Sequence, residues 1–301
     1  MKRVLSIFFC TLMILSTTVF AFDASAPMEN RKPAEYMSKA EFAKSLSSDG
    51  MVSVQENDLS SEEKMNMLRD YLFDGFTDEE IASLESVGVY LYSYQTADEF
   101  LVEQKVASGG GTTDMVDVVL PAIAYDKVKK TWQVAAGGEW TDISWVPYLG
   151  RKIGGYECVG FFFDGTNMGS LSSTERPRLS NVVASLLSVT SDLPRDEREV
   201  ISTNYNVKSD YGIGSYLQDK SLTGGDYVGE HFAIVCNYDY RFENVTGDLV
   251  GYYVHTDVGF ELTKVALNVV TSGNSAAVVP LPEFEPKTYE FLQYSDPLEL
   301  G

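Results

Sequence analysis

Histidine, cysteine and positive charge are all scarce in this chain: its 301 residues hold 2 His, 3 Cys and 23 Lys plus Arg, against 44 Asp plus Glu. Each shortage excludes something. A formal net charge of -21 repels phosphate backbones and anionic membrane surfaces, so nucleic acid is not an expected partner. Two histidines, His231 and His255, fall short of a tetrahedral zinc set unless carboxylates complete it. Neither Cys158 nor Cys236 carries a local signature of a cysteine nucleophile. The chain has no Gly-x-Ser-x-Gly elbow; the nearest run, Gly212 to Ser215, lacks the final glycine and reads as a loop or bulge. A phosphate-binding glycine loop is also missing, and no second apolar run of spanning length follows the first.

That first run sets the expected compartment. Lys2 and Arg3 precede an apolar stretch from Val4 to Phe20, and Val19-Phe20-Ala21 offers small residues for cleavage after Ala21. The expectation is an exported, secreted protein with no stable transmembrane anchor once residues 1–21 are removed. Loss of Lys2 and Arg3 moves the net charge to -23. A hydrophobic fraction of 44% with 18 Tyr and 16 Phe supplies a real core, unlike a disordered acidic chain. Cys158 and Cys236 remain as an even pair. In an oxidising compartment they invite one disulfide, which could add roughly 4 to 5 kcal/mol across so long a loop. The other reading is two buried thiols on separate strands.

Hydrophobic periodicity divides the rest. Residues 22–86 form an acidic lead with short helices, in which Tyr36, Ala40, Ala43 and Leu46 make a narrow helical stripe. Ser60-Ser61-Glu62-Glu63 and Thr77-Asp78-Glu79-Glu80 are two capping boxes, and Met65, Leu68 and Leu72 follow the first at helical spacing. Asp70, Asp74, Gly75 and Asp78 imitate part of a calcium loop, but Leu72 and Ile81 stand where oxygen ligands are required. From about Val87 the texture changes to short alternating runs punctuated by turn residues. The predicted fold is mainly β: an antiparallel β-sandwich over 87–285 behind a small helical segment, with an acidic tail over 286–301.

Within 231–242, HFAIVCNYDYRF, a period of two puts Phe232, Ile234, Cys236 and Tyr238 on one face and His231, Ala233, Val235 and Asn237 on the other. His231 and Cys236 cannot share a metal from such a strand. The turn signals at 243–248 predict a hairpin with Leu249 to His255, and Asn244-Val245-Thr246 is a glycosylation sequon on it.

The stretch 131–145 holds Trp132, Trp140 and Trp145, with Tyr148 just after; flat rings beside Glu139 and Asp142 suit a glycan-binding face, with Trp140 expected to be exposed. Core anchoring is the competing use of the same rings. Asp164 and Asn167 could donate oxygens to calcium, though Asp-Gly-Thr-Asn is also an ordinary turn. Together these features predict a non-enzymatic exported sandwich that binds a cell-envelope glycan or a protein partner. The alternatives are a glycoside hydrolase using a carboxylate pair, and a β-rich toxin that inserts an apolar hairpin.

Overall fold

The computed structural model describes residues 37–48, 59–73, 75–99, 116–140, 156–187, 200–201, 206–209, 212–218, 220–221, 227–228, 231–255, 267–272, 275–280 and 291–301. Three helices come first, α1 (Lys39–Ser48), α2 (Ser61–Tyr71) and α3 (Asp78–Ser86). Both predicted capping boxes form: Ser60 and Glu63 close reciprocally on α2, as do Thr77 and Glu80 on α3, each worth about 1 kcal/mol. Gly75, at φ 75°, makes the left-handed turn between them. The stripe of α1 differs from expectation. Lys39, Phe42 and Ala43 are its buried residues, while Ala40 faces solvent.

The strands are β1 (Val89–Ser93), β2 (Val116–Val118), β3 (Ala122–Asp126), β4 (Thr131–Trp140), β5 (Tyr156–Asp164), β6 (Leu179–Leu187), β7 (Val200–Ile201), β8 (Asn206–Ser209) and β9 (Gly212–Gln218). They continue with β10 (Lys220–Ser221), β11 (Tyr227–Val228), β12 (His231–Tyr238), β13 (Asp248–His255), β14 (Leu267–Ser272), β15 (Ser275–Pro280), β16 (Phe291–Tyr294) and β17 (Leu298–Glu299). Sheet 1 runs β1-β3-β4-β12-β6-β7, with β2 also on β4; sheet 2 runs β16-β13-β5-β9-β8, with β17 also on β13. Every strand pair is antiparallel, so the predicted mainly-β, antiparallel fold is what forms.

Alternation along the strands builds the core. Trp132, Val134, Ala136 and Trp140 of β4 join Phe232, Ile234, Cys236 and Tyr238 of β12 on the inner face of sheet 1. Val159, Phe161 and Phe163 of β5, with Leu249 and Tyr253 of β13, meet them from sheet 2. Each large side chain buried this way contributes about 1.5 to 3 kcal/mol. Phe232 stacks on Tyr253 across the sandwich with ring centroids 3.8 Å apart. That ring needs Gly138 beneath it, since a Cβ there would come within 2.9 Å of the Phe232 ring.

The two outer faces are covered differently. On sheet 1, Ala122, Ala124, Ala135, Gly137 and Ala233 leave a shallow bed on which α2 lies, touching β4, β6 and β12. On sheet 2, the β14–β15 hairpin lies against β5. There the Tyr252 ring crosses Gly160 and Gly214, whose missing side chains give it room.

Three expectations change. β12 and β13 do not form a hairpin: β12 is paired on both edges, with β4 and β6, while β13 belongs to sheet 2. The segment between them, with a short 3-10 turn at Tyr240–Asn244, carries the chain from one sheet to the other. The apolar face of β12 is therefore interior, and the inserting hairpin proposed for a toxin does not exist in that form. Gly212 to Ser215 is strand β9, because the glycines sit beside Phe161, Phe162 and Tyr252, where only hydrogen fits. The stretch read as an acidic tail supplies β16 and β17, with Leu298 and Leu300 in the core.

Candidate functional site

Two of the three tryptophans expected to form a glycan face, Trp132 and Trp140, lie inside the sandwich. Trp132 is 0% exposed and Trp140 6%, a correction of the expected exposure of Trp140. Both occupy the inner parity of β4, where Trp140 Nε1 donates to Tyr253 Oη at 3.2 Å and Trp132 Nε1 to Glu243 Oε1 at 3.4 Å. Stacking a sugar on either ring would require opening the core. Asp142, Trp145 and Tyr148 lie outside the described residues, as does the stretch 1–21 expected to be a leader.

Glu139 has the outer parity of β4 and sits in register between Asp117 of β2 and His231 of β12. His231 Nε2 is 3.5 Å from Glu139 Oε2, and the Phe73 ring meets the imidazole edge-on at 4.8 Å. At that separation the two groups are ion-pair neighbours whenever the imidazole carries a second proton. Among the described residues no group of three or more His, Cys, Asp or Glu is arranged to hold a metal ion.

Of the calcium candidates, Asp164 is the last residue of β5 and Asn167 lies on the turn after it. Asn167 uses its amide on the neighbouring turn: Nδ2 donates to the Asn244 carbonyl at 2.7 Å and Oδ1 accepts from Thr246 N–H at 3.1 Å. Its oxygen thus serves the backbone of the sequon turn. Cys158 and Cys236 form no disulfide, which corrects the paired reading. Cys236 faces the core, whereas Cys158 faces the opposite side of sheet 2, with Sγ 4.0 Å from Tyr252 Oη. Parity on different sheets separates them. Burial pushes the Cys158 thiol up to about 12, so it is inert as a nucleophile.

Sequence reasoning passed over the surface that stands out. The 3-10 turn presents Tyr240 at 60% exposure, the highest among the large hydrophobic side chains described. The Arg241 guanidinium lies 5.7 Å from its ring centroid. Alongside runs Arg176-Pro177-Arg178, latched by Asp239 N–H to the Arg178 carbonyl at 3.0 Å and by Arg178 N–H to Asp239 Oδ1 at 3.1 Å. Arg241 Nη1 reaches the Arg176 carbonyl at 3.5 Å, and its Nε is 3.5 Å from Asp239 Oδ2. One open aromatic ring, backed by Arg241, thus lies on a turn latched to the backbone of Arg176 and Arg178 in a strongly acidic chain. The sequence signal was the pair of short runs RPR and DYR, which are 61 residues apart and meet only through the fold.

No protein-family model and no curated protein sequence matches the chain. Among solved structures, a chain described under pH-induced modulation of Streptococcus parasanguinis adhesion by Fap1 fimbriae aligns at 12% identity. The alignment covers 57% of this chain and 76% of that one with a TM-score of 0.25, a likeness that carries no argument about function.

Proposed function

We propose that this is an exported, non-enzymatic β-sandwich that binds an extracellular ligand through the surface around Tyr240. The observation that carries the reading is the exposed Tyr240 ring, backed by the Arg241 guanidinium and lying on a turn latched to the backbone of Arg176 and Arg178. An aromatic face backed by a guanidinium, on a turn whose backbone is held by Asp239 and Asn167, is a preorganised contact. Support for export comes from the leader-like start of the sequence. No helix among the described residues is long and apolar enough to cross a membrane.

The test places a photo-crosslinking amino acid at position 240, and for comparison at exposed Val128, in the mature chain from residue 22 onward. Saturable crosslinks to surface material from position 240 that are much weaker from position 128 are expected. Equal labelling from both positions would remove this surface from the proposal.

One observation favours the hydrolase alternative: Asp117 and Glu139 are direct cross-strand partners, close enough to place two carboxyl groups near the separation used by retaining glycosidases. Reducing ends released from a polysaccharide panel, and lost in Glu139→Gln, would establish it in place of the binding reading.

A further inference from the structure

We propose that the Tyr240 surface recognises a glycan segment carrying an isolated carboxylate, of the uronic or sialic acid type, flanked by uncharged sugar units. This rests on the binding reading above and adds the ligand class. Arg178 is exposed on the edge of the surface, with its backbone fixed to Asp239. A guanidinium there offers forked donors to a carboxylate, while the Tyr240 ring offers a flat face to the apolar side of a pyranose.

Charge decides how much of the ligand can be anionic. Arg241 Nε lies 3.5 Å from Asp239 Oδ2 and Arg176 Nε donates to the Leu171 carbonyl at 3.1 Å, so the exposed Arg178 is the arginine of this surface that faces a ligand, whereas the whole chain carries -21. A single carboxylate within about 8 Å of Arg178, the Debye length at physiological salt, is governed by the local patch. A densely charged polymer reaches past that distance into the negative field of the rest of the molecule and is repelled.

The neighbouring groups favour sugar over an acidic peptide. Ser172, Ser173 and Thr174 are exposed on the turn leading to Arg176, and they present hydroxyls. The other large exposed apolar side chains described are Val128 on the β3–β4 turn and Tyr294 on β16, so among the described residues Tyr240 shares its turn with no second large exposed apolar side chain of the kind a peptide-binding patch would offer. Exposed hydroxyls on the turn that leads to Arg176, of which Ser172 Oγ also donates to Glu175 at 2.6 Å, together with one stacking ring match a polyhydroxylated ligand.

The experiment is calorimetric titration of the mature chain with galacturonic acid oligomers of graded methyl esterification, and with sialyllactose against lactose. Partly esterified oligomers are expected to bind best, with the fully esterified and the fully acidic forms weaker. Sialyllactose binding without galacturonan binding would place the carboxylate on a sialic acid, and the reverse on a uronic acid. Tyr240→Ala is expected to weaken binding about tenfold and Arg178→Gln about threefold, with part of the second loss restored in Arg178→Lys. Lys129→Gln, on the exposed β3–β4 turn, leaves affinity unchanged. Full esterification without loss of affinity, no effect of Tyr240→Ala, or no binding to either sugar series would overturn the proposal. If position 240 still crosslinks specifically to a protein while every sugar fails, the ligand class is wrong and the binding reading stands.

Discussion

Two buried lysines hold two helices against the sandwich, and they are treated in opposite ways. Lys64 of α2 meets a full counter-charge: Nζ lies 3.1 and 3.0 Å from the two Asp126 carboxylate oxygens, with both side chains at most 1% exposed. Asp126 Oδ1 also accepts the N–H groups of Val128 and Lys129, both at 2.9 Å. Lys39 of α1 has no such partner in contact among the described residues. It donates to the Leu300 carbonyl and lies 6.0 Å from the Tyr92 ring and 5.8 Å from the Phe242 ring. Burial pushes its pKa down to about 8, and the more distant Glu243 only partly offsets this. A buried charge with a fully bonded partner fixes geometry; one with only dipoles and rings leaves stability dependent on pH.

The largest expected effect comes from breaking the first arrangement. Asp126→Ala strands the Lys64 ammonium and uncaps the β3–β4 turn, and should cost about 3 to 5 kcal/mol in urea unfolding. The double replacement Asp126→Leu with Lys64→Met should recover much of that, because the charge is no longer stranded. A loss under about 1 kcal/mol for Asp126→Ala would mean that the pair is hydrated and that α2 is held by its apolar contacts.

Lys39 gives a smaller effect with a distinctive sign. Below pH 8 the lysine is charged in both folded and unfolded chains, and burial of that charge opposes folding. Between about 8 and the ordinary value of 10.5 the unfolded chain keeps the proton while the folded chain releases it, so stability gains as pH rises. The full span is about 3 kcal/mol at most. Lys39→Met lacks this gain, so its stability relative to the native chain should fall between pH 7.5 and 9.5. A pH-independent difference would show that Lys39 remains charged and solvated.

Local rules made the fold legible and left the site hidden. The two capping boxes, the helical spacing of Met65, Leu68 and Leu72, and the parity of β12 all follow from neighbours within one turn or one strand, and each appears as expected. Pairing did not follow. Turn residues at 243–248 predict a hairpin, yet a 3-10 turn hands the chain to the other sheet, because β12 already has β4 and β6 on its edges. The tryptophan cluster misled for a related reason. A ring beside glycines looks exposed in sequence, whereas Gly138 makes room for Phe232 inside the core. The Tyr240 surface depends on residues 176–178 lying beside 239–241, a contact that no local pattern encodes.

The smallest effect concerns a third polar side chain on the sheet face that α2 covers, and it sharpens the contrast with Lys64. Gln133 of β4 is 0% exposed, yet neither Oε1 nor Nε2 has a hydrogen-bond partner. Its cross-strand neighbour Asn237 donates from Nδ2 to Ser180 Oγ at 2.8 Å but leaves its own Oδ1 without one. An amide stranded in this way costs about 1 to 3 kcal/mol, so Gln133→Met, which keeps the volume and removes both polar atoms, should stabilise the chain by about 1 kcal/mol. The opposite result, a loss of similar size, would identify an ordered water bridging Gln133 and Asn237 beneath the helix. The α2 bed would then be partly wet, and the dry ion pair at Lys64 would be the exception on that face.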